Sequence, residues 1–259
     1  MKNPLKKALS ILKMRSAPTL DDKDFISETD PVQQFLKMDF SHFKWLKNYD
    51  FKSVLDVGAN QGQFAYRIRS LFPEILICSF EPIPGLFDQL NEHFRYDKAF
   101  MGFNYALGET EQRHVMYLNE FSPSSSLLEL APEHKKHFNF ATKETPVEIR
   151  VTTLDKICAG LELPSPVLIK IDVQGYEEQV IAGGSQTLKK CFLVIIEVSF
   201  RELYQNQPSF DSIYRKMTTL GFKYVGNFEQ LLSPVDGEIL QADALFMNIN
   251  LPASSSFQV

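Results

Sequence analysis

The stretch SVLDVGANQGQF, Ser53–Phe64, decides how this chain is read. Its first half is a short apolar run broken by Asp56, and its second half sets Gly58 and Gly62 around Asn60. A helical stretch is expected from Gln61, so the chain passes from strand through tight turn into helix. In an open α/β sheet, ligands bind beyond the carboxyl ends of the strands, where such a turn lies. The dinucleotide fingerprint Gly-x-Gly-x-x-Gly lets backbone approach a pyrophosphate. Counted from Gly58, its second and third positions hold Asn60 and Gln63, and no P-loop lysine follows Gly62. The turn is therefore poor for phosphates. Asp56 brings a carboxylate to the ligand instead, which suits an ammonium or a sulfonium.

The flanking sequence repeats the alternation. EILICSF is a second strand, with a helix from Pro84 to Arg95 after it. AFMGFNYAL reads as one strand and GETEQRHVMYLN as hairpin-like, while VEIRVTTL, PVLIKIDV, CFLVIIEV, FKYVGN and DALFMNIN read as further strands. Helices are expected near Tyr176 and from Ser209, an N-cap whose helix stops at Gly221. Alternating strands and helices require right-handed crossovers, hence an α/β doubly wound, mostly parallel sheet of about seven strands. Glu81 closes the second strand in SFEP, where an acid can accept both hydroxyls of a ribose. A ribose without a pyrophosphate, beside a carboxylate, describes S-adenosylmethionine (SAM). The competing reading is that Asp56 and Glu81 cap helix N-termini.

The 259 residues carry a net charge of −5, which argues against nucleic acid as a partner. Met1–Ala17 holds five basic residues and no acid, so the remainder stands at −10. Cys78, Cys158 and Cys191 are odd in number and widely spaced, as in free thiols of a reducing, cytoplasmic compartment. No apolar run reaches transmembrane length, and no signal-peptide core is present. Residues 1–30 are read as a basic arm and linker, and residues 31–259 as the main domain, which opens with helices between Pro31 and Tyr49. In the arm, Leu5, Leu9 and Leu12 share a helical face opposite lysines. Such a helix can touch an anionic membrane surface weakly; a disordered basic tail, a helix docked on the acidic domain and an organellar targeting peptide are the alternatives.

Taken in order, DVGANQGQF, FEP, TTLD, IKIDVQGYE and IIEV resemble the FkbM family of SAM-dependent O-methyltransferases, over roughly Val54–Ile249. The resemblance implies a Rossmann-like sheet of class I methyltransferase type with an antiparallel last strand, here Ala242–Ile249. It implies SAM as cofactor, held at Asp56, Gly58, Ala59, Asn60, Gly62 and Glu81, with Asn104 at the adenine edge. The implied acceptor is a hydroxyl of a sugar, glycan or natural product. Ser125 and Ser126 echo a Ser-Ser-Leu element of the family, which would put them in the acceptor pocket; an N-cap in a surface loop explains them equally well.

Period-two alternation sets Lys170 and Asp172 on one strand face, with Glu177 just beyond and Glu197 closing the neighbouring strand. An alcohol is a poor nucleophile until its proton leaves, and a positioned base adds about 10²–10⁴-fold. Asp172 or Glu197 could be that base, or Lys170 could orient or deprotonate the hydroxyl; an ion-pair network ordering the sheet edge is the alternative. Asp172 with Glu197 could also hold Mg²⁺. His134 and His137 lack a third ligand in register and read as a solvated helix, so no metal site is assigned. A Lys-Asp-Lys-Glu RNA ribose methyltransferase would use three of these groups, but the acidic domain opposes it. A nucleoside-binding module without turnover is the remaining alternative.

Overall fold

The computed structural model describes residues 41–119, 127, 128, 131 and 144–252. The basic arm, Ser125, Ser126, His134 and His137 lie outside the described residues. Of the opening helices, the described part is a 3-10 helix, Ser41–Tyr49. Strand β1 (Ser53–Val57) is buried along its whole length, as SVLDV requires of a central strand. It is followed by α1 (Gln63–Leu71), β2 (Leu76–Phe80), α2 (Pro84–His93) and β3 (Phe100–Phe103). Next come β4 (Ala106–Leu107), β5 (Gln112–Asn119), β6 (Glu144–Thr152) and α3 (Leu154–Cys158). The second half runs β7 (Val167–Ile171), α4 (Glu177–Gly183), α5 (Ser185–Leu188), β8 (Cys191–Ser199), α6 (Phe210–Thr219), β9 (Phe222–Leu232) and β10 (Ile239–Asn248).

Seven strands form one sheet in the order β3-β2-β1-β7-β8-β10-β9, and β10 is antiparallel to both neighbours. The chain builds outward from β1 in one direction through β3, then returns to β7 on the other side. The crevice between β1 and β7 is thus the switch point where α/β sheets take ligands. On one face, Phe43, Phe64, Ile68 and Leu90 pack against Val54, Leu168 and Ile195. On the other, Leu154, Val180 and Met217 cover Leu55, Ile169 and Ile196.

Three expectations need correction. Helix α1 starts at Gln63 rather than Gln61, because Asn60 (φ 51°) and Gly62 (φ 95°) hold left-handed backbone. AFMGFNYAL is two strands, not one, broken where Asn104 turns its amide onto the carbonyls of Glu81 and Pro82. Nor do Gly108–Asn119 form a hairpin of their own. Gln112–Asn119 pairs with β6, and β4, β6 and β5 make a second, three-stranded sheet. This small sheet packs Met116, Ile149 and Val151 against Ile83, just past Glu81, and against Tyr176. The second sheet buttresses both loops at the switch point.

Candidate active site

The turn after β1 is fixed by its own backbone. The amides of Gly58 and Ala59 both donate to the Phe80 carbonyl, at 3.0 and 2.9 Å, and the Gly62 amide donates to the Ala59 carbonyl. Gly58 has φ 82°, and a Cβ there would overlap the Asp172 carbonyl oxygen. The glycine is demanded by the contact of one strand end with the next. At Gly62 a Cβ would meet Leu90 and Phe94 of the α2 segment at 2.9 Å.

Glu81 is buried and tied directly to that turn: Oε2 accepts from the Asn60 amide (2.8 Å) and Oε1 from the Ile83 amide (2.9 Å). Desolvation raises its pKa to about 7, against the two amide bonds. Asn104 braces the same loop, its Nδ2 donating to the carbonyls of Glu81 and Pro82. Asp56 is 1% exposed. Its Oδ2 accepts a long 3.4 Å bond from Ser79, while Oδ1 is buried with no well-formed hydrogen bond among the described residues, the Ala65 amide of α1 giving the carboxylate only weak support. Burial lifts its pKa to about 6, opposed chiefly by the Lys170 ammonium. A buried carboxylate oxygen without a donor is costly, and a cationic or N–H donor ligand would relieve it. The turn, Asp56 and Glu81 could hold a nucleoside bearing an ammonium or sulfonium. That donor set fits SAM.

One strand away stands the charged group. Asp56 lies opposite Lys170 in the parallel register of β1 and β7, so both sit on one sheet face. Lys170 Nζ pairs with Asp172 Oδ2 at 2.7 Å, and both side chains are largely buried. Burial would lower the Lys170 pKa, but Asp172, Asp243 and Asp56 together outweigh it and push it up. Lys170 therefore offers a proton rather than a lone pair at neutral pH. The four acids and bases expected from sequence are gathered here, but Glu177 is differently employed. It is buried, and its Oε1 accepts from the amides of Val173 (3.2 Å) and Gly175 (3.0 Å). Desolvation raises its pKa to about 7.

Glu197 is bonded to two amides that sequence reasoning passed over. Gln174 Nε2 and Gln241 Nε2 each donate to its Oε2 at 2.8 Å. Gln174 Nε2 also donates to Asp172 Oδ1 at 2.6 Å, and Tyr204 Oη donates to Gln174 Oε1 at 2.8 Å. Gln174 lay inside the quoted IKIDVQGYE, so a signal existed; Tyr204, Gln241 and Asp243 had none. Antiparallel pairing sets Asp243 opposite Glu197. Beside them a small open hollow of about 10 Å³ is lined by Glu197, Glu229, Gln230, Leu231, Gln241, Ala242 and Asp243. Among the described residues, no three His, Cys, Asp or Glu side chains are arranged to hold a metal ion.

Residues 56–224 match the methyltransferase FkbM domain. The chain belongs to the FkbM methyltransferase family. As a member it is a SAM-dependent methyltransferase whose acceptor is a hydroxyl. It is 28% identical over 194 residues to the 2-O-methyltransferase NoeI of Sinorhizobium fredii, covering 72% of this chain and 77% of that one. It is 26% identical to the hexuronic acid methyltransferase AglP of Haloferax volcanii over 55% of this chain and 54% of the relative. Magnesium protoporphyrin IX methyltransferase of Synechocystis PCC 6803, solved with bound SAM, aligns at TM-score 0.44 and 10% identity over 94% of this chain and 97% of that one. Among the described residues of this FkbM-family enzyme, no helix is long and apolar enough to cross a membrane.

Proposed function

We propose that this enzyme methylates a sugar hydroxyl, with SAM held on the Asp56–Gly62 turn and Glu81, and the acceptor placed at Lys170, Asp172 and Glu197. The observation that carries the reading is the partnerless Asp56 oxygen, buried beside the ammonium of Lys170 at the switch point. Bound SAM supplies a methyl group activated on a sulfonium. Asp56 would receive the cationic end of the cofactor, Glu81 would accept from its ribose hydroxyls, Ala59 and Asn60 would contribute backbone to the cradle, and Asn104 would stand at the adenine edge. The Asp172–Glu197 pair takes the proton of the acceptor hydroxyl, and Lys170, still protonated, neutralises charge growing on that oxygen. Glu177 holds the turn that carries these groups.

The sugar reading is supported by the hexuronic acid activity of the Haloferax volcanii relative. Three free, buried thiols support a reducing cytoplasmic setting, and the charge of Met1–Ala17 supports weak contact with anionic membrane. The test is transfer of radiolabel from methyl-labelled SAM to methyl glucuronide and to neutral methyl glycosides. Asp172→Asn and Glu197→Gln should each cut turnover about 10²-fold or more while leaving S-adenosylhomocysteine (SAH) affinity intact. Wild-type rates in both variants would assign the acids to sheet architecture.

A further inference from the structure

We propose that Gln174 is a positioning residue: its carboxamide bridges Asp172 and Glu197 and keeps both in the ionised, hydrogen-bond-accepting form at the acceptor site. The inference rests on the proposed role of those two acids and names what prepares them. An amide nitrogen has two hydrogens, and here each is given to a different carboxylate, at 2.6 Å and 2.8 Å. With acids on that side, only the orientation that points nitrogen at them and oxygen at the Tyr204 hydroxyl is chemically sound. Tyr204, itself buried, completes it at 2.8 Å.

The backbone is bent to deliver this side chain. Gln174 has φ 55°, left-handed backbone that an ordinary L residue adopts only at a cost. Such strain persists where surrounding structure imposes it, and it clusters at functional sites. The imposing elements are visible. Glu177 takes the amides on either side of Gln174, and Gly175 (φ 102°) lets Leu128, Gln207 and Tyr204 close over the turn. A Cβ at Gly175 would meet those three side chains at 3.0, 3.2 and 3.4 Å.

Two carboxylates facing each other without a donor between them do not both stay ionised; one takes up a proton. Among the described residues, the charged and titratable groups around the pair include Lys170 on β7, Asp56 on β1, Glu177 on α4, Asp243 on β10, Glu229 on β9 and the Tyr204 hydroxyl. Lys170 bonds Asp172 through the oxygen opposite the one that Gln174 reaches. The amide is thus a bonded link that helps Asp172 and Glu197 share a site as two anions.

The experiment titrates ¹³C-labelled Asp and Glu carboxyls by NMR in the full-length protein with SAH bound. It compares wild type with Gln174→Met, and needs no acceptor. The expected result in the variant is one carboxyl midpoint raised by about one unit or more, with melting temperature and SAH affinity kept. Turnover on the radiolabel probe should fall tenfold or more at neutral pH and recover as pH rises, since higher pH restores the second anion. A residue that merely packs would leave the carboxyl midpoints and the pH profile in place. Should Gln174→Met fail to fold, Gln174→Leu also removes both N–H donors without adding a charge, and the same raised midpoint is expected. Unchanged midpoints in a folded variant overturn the bridge. Absence of label transfer by wild type would overturn the proposed sugar reaction instead, and the carboxyl titration would still judge the amide.

Discussion

Gly58→Ala tests the coupling between the cofactor turn and the strand that carries Asp172. Two costs add at this position. The residue holds φ 82°, where an L side chain costs about 1–2 kcal/mol. A Cβ would also overlap the Asp172 carbonyl, lying 2.9 Å from its carbon, with Val173 Cγ1 at 3.5 Å. Backbone cannot swing aside as a flexible side chain can, so an overpacking cost of about 1–3 kcal/mol follows. The sum, about 2–5 kcal/mol, lowers the melting temperature by about 4–20 °C for a chain of this size. Relief must come from parting β1 from the β7 end, which displaces Asp172. A displacement of about 1 Å at reacting groups costs about 10²-fold in rate. Two other glycines separate the terms. Gly237 has φ 79° and open space around it, so Gly237→Ala should lose about 1–2 kcal/mol and keep turnover. Gly85 has neither restriction, so Gly85→Ala should be neutral or gain about 0.4–1 kcal/mol. Thermal melts and methyl transfer on all three variants decide the matter. Equal melting losses for Gly58→Ala and Gly237→Ala, with turnover intact in both, would refute the strand-to-turn contact.

Lys170→Met should destabilise by about 3–5 kcal/mol, because it strands buried Asp172 and Asp56 without their cation. The loss should be larger at pH 8 than at pH 6, since protonation of the acids relieves it, and urea melts at both pH values will show this. Asp56, Glu81 and Glu177 all have folded pKa values raised by burial, to about 6, 7 and 7. The folded state binds more protons than the unfolded one between their ordinary values near 4 and these raised ones. Their contribution to ligand-free stability therefore falls as pH rises through that window. SAH affinity by calorimetry should move the other way, rising from pH 5 to pH 8 as Glu81 ionises to accept ribose hydroxyls, and Glu81→Gln should weaken binding and flatten the rise. Burial pushes the thiols of Cys78 and Cys158 up to about 12 and 11, so a thiol reagent should label the native protein slowly and the urea-unfolded protein at once. Full-length protein should pellet with anionic vesicles at low salt more than a form starting at Pro18; equal pelleting would sink a membrane role for the arm.

Much of this was legible where chemistry is local in the chain. SVLDVGANQGQF announced a strand, a turn and a helix, because Gly58, Asn60 and Gly62 tolerate the left-handed backbone that the turn adopts. Period two alone put Lys170 and Asp172 on one face, and the alternation of elements implied the crossovers that set β7 beside β1. What no local pattern carried was pairing across long separations. The second sheet exists because residues 112–119 pair with 144–152, leaving their own neighbours. Gln241 reaches Glu197 across 44 positions, and Tyr204 reaches Gln174 across 30. A neutral amide or a tyrosine advertises nothing in sequence, since its partners decide whether it is solvated or spent between two acids. The partnerless oxygen of Asp56 is the same kind of fact. The sequence determined that a carboxylate stands at the end of the first strand; only the packing around it removed the water and set the Lys170 ammonium beside it.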